Sequence, residues 1–534
     1  MGSREPSESA ADSSARGSPG KGKESRNHGI AGADHRQEAV RAPRFQRRTA
    51  SARLGSMLSG ARPVLHVEDR SSSVSPIEEL LRNRSTFAHI CSPASSSALG
   101  SDWTLTCSEL HLAIEGKRGV TSLDTGSERI LLDADPLRVV EELLDSIRPD
   151  DRLGLPFAGG LVGFLGYELF DPPDAPRAAH GDLWLGLPRR YRIDTSAGRT
   201  IHVELRGLPQ ASALAARLAA EHPSQRYPSA PRIRHGDRDR LVGAPVGLLD
   251  LRSATGREGY LRMVERCRGY IAAGDIYQAN LAHRLWTFAS PDERLLFARM
   301  LERHRTPHAA FIDAQPLRIL GNSPELFLRR RGAHATIRPI KGTRRRSSEP
   351  AEDARLIAEL ESSDKENAEH VMIVDLERND LGRVAEIGTV RVPSFASVES
   401  FGSVHHLVST VECDLEPGVG FAELIRATFP CGSITGAPKI RARQIIRELE
   451  GGPRGVYTGA TGWIDSSGDL ELAVAIRTAV VEERLVDERG ARCCLLEYHS
   501  GAGIVADSDP EAEWQETLLK ARVLQHALDP AARA

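Results

Sequence analysis

The sequence predicts a mixed helix-and-strand protein built around one large core. Three observations predict it. Apolar residues recur at helical spacing, as in Leu137, Val139, Val140, Leu143, Leu144 and Ile147. Alternating apolar and polar runs, such as Trp103 to Cys107 and Thr200 to Leu205, read as strands. From about residue 254 the two patterns alternate, and glycine-containing motifs crowd together. At about 150 residues per domain, 534 residues suggest roughly three units.

The first 70 residues are rich in Ser, Arg, Gly and Ala and poor in large apolar residues. Such a segment cannot offset its chain entropy by burial, so residues 1–70 are expected to be a disordered tail. It has no apolar stretch of the secretory kind, and Glu5, Glu8, Asp12 and Glu24 argue against a transit peptide. Pro76 to Leu81 predicts a short amphipathic helix, and Leu137 to Ile147 a second. The longest apolar stretch, about Phe157 to Phe170, contains Glu168 and is too short to span a bilayer. Residues Pro223 to Asp239 are polar, basic and proline-containing, as a linker or long loop would be. These features divide the chain into the tail, a region 71–240 and a region 241–534.

Composition narrows the function classes. Lys and Arg total 70 and Asp and Glu 73, a net charge of -3 that excludes a wholesale nucleic-acid binder. Acids interspersed in the basic tail argue against such a role there too. Seven cysteines, at 91, 107, 267, 413, 431, 493 and 494, show no zinc-type spacing. Their odd number reads as reduced thiols in a cytoplasmic protein.

Several segments of the second half are odd for ordinary core. Glu366 and Glu369, spaced i, i+3 before an apolar run, share a helix face and could offer oxygens to a hard cation; a solvated acidic face is the plain alternative. Asp509 and Pro510 suit a helix start, after which Glu513, Glu516 and Lys520 lie on one side and Trp514, Leu518 and Leu524 on another. Gly501, Ala502 and Gly503 let backbone N–H groups approach an anion, or form a tight turn. GSITGAPK (432–439) fails the ATPase phosphate-loop template, because Ile440 follows Lys439. Arg477 lies in an apolar run, AVAIRTAVV, read as a strand, where its guanidinium must find a carboxylate from protein or ligand. Lys341, if buried, would lose its proton more easily and become a usable nucleophile; an exposed loop lysine is the alternative. His405 and His406 alternate along a strand, so one is expected to point inward.

Together and in this order, these segments resemble the chorismate-utilising enzymes, which include anthranilate synthase component I, aminodeoxychorismate synthase component I and the isochorismate and salicylate synthases. The segments are GDIYQANLAHR (274–284), NSPELF (322–327), RPIKGTRRR (338–346), ENAEHVMIVDLERNDLGRV (366–384), SVHHLVSTVE (403–412), FPCGSITGAPKIRA (429–442), RGVYTGATGW (454–463), AVAIRTAVV (473–481) and GAGIVADSDPEAEWQETLLKA (501–521). PFAGGLVGFLGYELF (156–170) also looks like the family's N-terminal glycine motif. The resemblance covers roughly 75 to 528. It implies an α+β fold of two large, mostly antiparallel β-sheets packed face to face with outer helices, the N-terminal third interleaving with the rest.

The resemblance also implies residue roles. Gln278 stands where the isochorismate and salicylate synthases carry a water-activating lysine, which favours an ammonia-using enzyme. Lys341 stands where aminodeoxychorismate synthases carry lysine and anthranilate synthases typically alanine. The expected activity is therefore aminodeoxychorismate synthase component I, with anthranilate synthase as runner-up and a non-catalytic sensor as a more remote alternative. Glu369 and Glu516 resemble the carboxylates that hold Mg²⁺. Arg477 and Tyr457, with Gly501 to Gly503, resemble the receptor of the enolpyruvyl carboxylate; Lys520 and the backbone at Ser433 add to substrate binding. Glu325 resembles the general acid, Lys341 the nucleophile, and His406 the active-site histidine. No glutaminase nucleophile motif is evident, so a separate glutamine amidotransferase subunit is the expected source of ammonia.

Overall fold

The computed structural model describes residues 63–70, 74–93, 102–172, 174–178, 180–228, 244–245, 251–289, 291–401, 404–486 and 492–529. They belong to one compact unit, Gly60–Ala534. The predicted tail up to residue 62, and residues 229–239 of the predicted linker, lie outside the described residues.

Among the described residues, 24 strands join through antiparallel pairs into one hydrogen-bonded network, with helices packed on it. Two arms diverge at the strand Leu183–Thr195. Along one edge it pairs with Trp103–Lys117, which leads through Thr86–Ser92 and His308–Ala314 to Leu317–Ser323 and Thr478–Val486. That arm continues to Arg492–Ile504 and Gln278–Ala289. The other edge pairs with Gly160–Leu165, which leads through Ala460–Asp465 and Leu470–Val474 to Leu326–Arg331. This arm continues to His334–Arg338 and Val404–Asp414, which also pairs with Ile340–Arg345 and Arg391–Phe401. Each arm mixes early and late strands, so the N-terminal third is woven into the remainder as expected.

The arms pack through large rings. Trp103 of one and Trp463 of the other are both buried, with ring centroids 5.6 Å apart, and Phe157 meets Trp463 edge-on at 5.8 Å. Fully burying one such side chain contributes roughly 1.5–3 kcal/mol. Backbones also approach closely here: a Cβ on Gly163 would lie 2.0 Å from the Trp184 carbonyl oxygen.

The helices expected from periodicity are present as Pro76–Arg82 and Pro136–Ser146, capped by Ser75 and Asp135. Four expectations need correction. The tail ends earlier than residue 70, because Val64–Arg70 alternates well enough to pair with Thr200–Arg206 and bury Leu65. The linker starts later than Pro223, because Ser224–Pro228 pairs with Glu128–Leu132. Arg477 is not within a strand: it occupies the break between Leu470–Val474 and Thr478–Val486, at φ +50°. Gly501 to Gly503 do not form the alternative tight turn but continue the strand Arg492–Ile504, where a Cβ on Gly501 would lie 2.7 Å from the Leu281 carbonyl oxygen and one on Gly503 2.5 Å from Gln278 Nε2.

The contacts at Gly163 predict an asymmetric response to alanine. Gly163→Ala should cost at least about 3 kcal/mol of folding stability, since backbone must shift. Gly269→Ala, in the helix Gly256–Ala272 with nothing within 4 Å, should be neutral or stabilising by up to about 1 kcal/mol. Denaturant unfolding of both variants checks this; equal effects would refute the packing account.

Candidate active site

The strand Ile340–Arg345 pairs with Val404–Asp414 with a register shift between Lys341 and Thr343. Gly342, at φ +65°, supplies the left-handed backbone that such a bulge requires. The irregularity lies beside Lys341, whose Nζ donates to the Ser433 carbonyl at 3.1 Å. The Ser433 hydroxyl donates to Glu325 Oε1 at 2.5 Å, and the Ile340 N–H reaches the same oxygen at 3.4 Å. Glu325 is buried. Burial raises its pKa above the ordinary carboxyl value, against the opposing pull of Ser433, Lys341, the Ile340 N–H and Arg477. Glu325, Lys341, Ser433 and Arg477 thus share one electrostatic neighbourhood.

Arg477 sits deep enough that desolvation lowers its pKa, opposed by Tyr498 and Glu325. Its side chain makes no hydrogen bond and no ion pair with the described residues. Tyr457 is buried; its pKa is pushed up to about 12, by desolvation first, and its hydroxyl bonds the Asn280 side chain. A Cβ on Gly501 would lie 2.9 Å from that hydroxyl, so Tyr457 abuts the glycine strand. Lys520 Nζ donates to the Gly501 carbonyl at 2.9 Å.

Both histidines are buried, so the expectation that one points inward is corrected. His405 is roofed by the helix Pro350–Glu361 and bonds Asp353 Oδ1 at 2.9 Å and Ser400 Oγ at 2.8 Å. His406 Nδ1 lies 3.0 Å from Thr343 Oγ1 and 3.1 Å from the Gly342 carbonyl. Desolvation, helped by Arg477 and Lys520, lowers its pKa to about 4.

The carboxylates come from two helices. Asp364–Gly382 starts at Ser363, whose hydroxyl caps the Glu366 N–H. Glu366 turns to Arg344, while Glu369 accepts from Gln278 Nε2 at 3.2 Å. Gln278 Oε1 stays buried with no hydrogen-bond partner. Burial raises Glu369, countered by Lys341 and Lys365. Pro510–Leu528, capped by Asp509, carries Glu513, which accepts from Ser508, and Glu516, which pairs with Lys520 at 2.7 Å. Burial works against ionisation of Glu516, but Lys520, Lys341 and Lys365 hold it below the ordinary range. Glu369 and Glu516 therefore face the same two lysines, Lys341 and Lys365. Mg²⁺ commonly takes one or two carboxylates and completes its shell with substrate oxygens and water. Two oxygen-donor side chains without sulfur or imidazole fit that demand, and a Cβ on Gly503 would lie 3.8 Å from Glu369 Oε2. Among the described residues, no cluster of three or more acidic, histidine or cysteine side chains is arranged to hold an ion.

Sequence reasoning missed the supports. Glu168 accepts the N–H groups of Arg454 and Gly455, at 2.7 and 3.0 Å. Arg454 in turn lies over the rings of Tyr167 and Tyr457, at 4.8 and 5.6 Å. Glu377 and Cys431 were also missed, although Glu377 follows Glu369 by eight residues, close to two helical turns and on a similar face.

The chorismate binding enzyme family model matches residues 102–526. The chain is 32% identical over 460 residues to aminodeoxychorismate synthase component 1 of Bacillus subtilis, covering 81% of this chain and 90% of that one. It is 36% identical over 496 residues to anthranilate synthase component 1 of Streptomyces coelicolor, covering 87% and 88%. The crystal structure of anthranilate synthase component I from Streptococcus pneumoniae superposes with a TM-score of 0.64 at 28% identity, over 88% of this chain and all of that one.

Burial of His406 generates a pH test. Between about pH 6.5 and 4 the unfolded chain takes up a proton there that the folded chain refuses, so acid removes stability through this window. His406→Gln should flatten the slope of stability against pH by up to about 1.4 kcal/mol per unit. Unfolding midpoints from pH 7 to 4 measure it; an unchanged slope would show that His406 titrates normally.

Proposed function

The chain belongs to the chorismate binding enzyme family and is a chorismate-converting enzyme, and we propose that it replaces the C4 hydroxyl of chorismate with an amine to give 4-amino-4-deoxychorismate, the precursor of 4-aminobenzoate and folate. One observation carries this reading: Lys341 Nζ reaches the Ser433 turn that also binds Glu325, so an amine and a carboxylic acid are presented side by side.

Chorismate is a dianion, and each carboxylate taken from water must be compensated. Arg477, whose guanidinium makes no hydrogen bond or ion pair among the described residues, is suited to one carboxylate in bidentate fashion, with Tyr457 and the 501–503 strand beside it. Glu369 and Glu516 are the side chains suited to hold Mg²⁺, which when bound would neutralise the other carboxylate. Glu325, whose protonated form burial favours, donates to the departing C4 hydroxyl, which leaves as water. The Lys341 amine adds at C2, and the ring double bond shifts as the hydroxyl departs. Ammonia then adds at C4 and expels the lysine. The orphaned Gln278 Oε1 offers ammonia an acceptor. His406, uncharged at neutral pH, adds no competing positive charge beside Arg477.

Ammonia is mostly protonated at neutral pH, so a separate glutaminase subunit is proposed to deliver it; the two sequence relatives described above are each named component 1. The likeness to anthranilate synthases supports a second reading, in which pyruvate is lost and the ring aromatises.

Product identification decides between them. Chorismate, Mg²⁺ and an ammonium salt at high pH should yield a non-aromatic amino product; fluorescent anthranilate would overturn the proposal. Lys341→Ala should lower kcat at least about 100-fold with chorismate affinity nearly intact; full activity would discard the covalent route. Glu516→Gln should weaken turnover and Mg²⁺ dependence together, and an unchanged metal response would mean that Glu516 is no ligand.

A further inference from the structure

Glu377 is a buried carboxylate that the chemistry above leaves unused. It lies on the helix Asp364–Gly382, is fully inaccessible, and has one oxygen without a hydrogen-bond partner among the described residues. Its other oxygen, Oε1, accepts from the Gly432 N–H at 2.8 Å and from the Cys431 thiol at 3.3 Å. Cys431 Sγ lies 3.2 Å from Ser433 Oγ, where either atom can donate. Ser433 Oγ donates to Glu325 Oε1. Two buried carboxyl groups are therefore joined by an unbroken chain of two side chains, each able both to give and to accept a proton. All four are buried, so the chain is shielded from solvent.

Resting on the reading of Glu325 as the acid, we propose that Glu377 is its proton reserve, wired to it through Cys431 and Ser433. Glu325 gives its proton to the C4 hydroxyl, which leaves as water. The relay starts with a proton on Glu377 and with the single thiol hydrogen of Cys431 turned from Glu377 toward Ser433; the new carboxylate takes the Ser433 hydroxyl proton, Ser433 takes the Cys431 thiol proton, and Cys431 takes the carboxyl proton of Glu377. One proton has moved, and no bond between heavy atoms has changed along the relay. Addition of ammonia at C4 later frees a proton, which returns along the same path to Glu377.

The surrounding charges suit a loan of this kind. Glu325 faces Lys341, Arg477 and, at longer range, Glu377. Glu377 faces Lys439 and Asp380. Lys439 pairs with Asp380 and also donates to the carbonyls of Thr428 and Pro430, at 3.1 and 2.7 Å. An anion therefore has a cation near either end of the relay. The absence of a side chain at Gly432 lets the carboxylate come close, since a Cβ there would lie 2.8 Å from Glu377 Oε1 and 2.7 Å from Leu376 Cδ2. Glu377 acts through Glu325 and is a positioning residue in this scheme.

Steady-state kinetics of the full chain with chorismate, Mg²⁺ and ammonium test the relay. Cys431→Ala removes it with little change in volume. It should lower kcat about ten-fold, leave KM for chorismate unchanged, and show a deficit that widens from pH 6 to 9, as reprotonation from solvent becomes limiting. Cys431→Ser, which restores a donor and acceptor, should recover most of the rate. Glu377→Gln should reproduce the pH-dependent deficit, with its fold monitored by thermal unfolding. A merely structural role would instead move KM and the unfolding midpoint, with no widening at high pH, and that result would overturn the proposal. Glu325→Gln separates the two levels. If it is inactive while Cys431→Ala matches the wild type at every pH, the relay alone falls; if Glu325→Gln is fully active, the reading of Glu325 falls and takes the relay with it.

Discussion

Burial of Glu325 beside Lys341 sets the terms for the groups around it. In water the carboxyl would be charged and could not serve as the acid of the proposed reaction. Desolvation pushes the carboxyl toward its neutral form, while the nearby ammonium and guanidinium pull it back. The Ser433 turn stands between them, its carbonyl engaging the lysine and its hydroxyl the acid. This geometry holds the pair close without a direct ion pair between them. A direct contact would favour the doubly charged state, which has no free amine and no proton to give.

That turn keeps its shape only because distant parts of the chain hold it. On one side, Glu377 and the Lys439–Asp380 pair grip residues 428–433 from two helices. On the other, the strand Gly160–Leu165 pairs with Ala460–Asp465, and Glu168 just beyond it binds the backbone of Arg454 and Gly455. Arg454 carries this to Tyr457, whose ring stacks on His499 at 5.1 Å. A residue 289 positions from Tyr457 in sequence thus helps to fix it. The interleaved strand order is what makes the support possible, because an autonomous N-terminal domain would have no backbone to offer there.

Much of the fold and the site is legible in the sequence where a local rule suffices. The capped helix at Asp509 and Pro510, the i, i+3 acids at 366 and 369, and the alternating strands near 103 and 200 all follow from spacing alone. What spacing cannot supply is the partner. Nothing local shows that Glu366 turns to Arg344 while Glu369 meets Gln278, or that His405 lies under a helix beginning at Pro350. Arg477 was misread for the same reason. AVAIRTAVV is apolar enough to be a continuous strand, yet the backbone breaks there, and the arginine takes a positive φ. Strain of that kind in a residue other than glycine persists only where its surroundings impose it, and such sites are commonly functional. At Gly501 and Gly503 the tight-turn alternative does not hold, because both lie within a strand where a Cβ would meet Tyr457 or Gln278.

The choice between amination at C4 and loss of pyruvate then reduces to what a lysine does at position 341. Its Nζ lies within hydrogen-bond reach of a backbone carbonyl and near three carboxyl groups, Glu325, Glu369 and Glu516, each of which is influenced by its charge. A purely structural ammonium in that position would be best served by a direct carboxylate partner, which Glu369 or Glu516 is equipped to provide. Instead Glu369 is engaged by Gln278 and Glu516 by Lys520. The lysine is thereby left on a single neutral acceptor, from which it can move at little cost. A fixed cation would not need that freedom, whereas a nucleophile that must attack and later depart does.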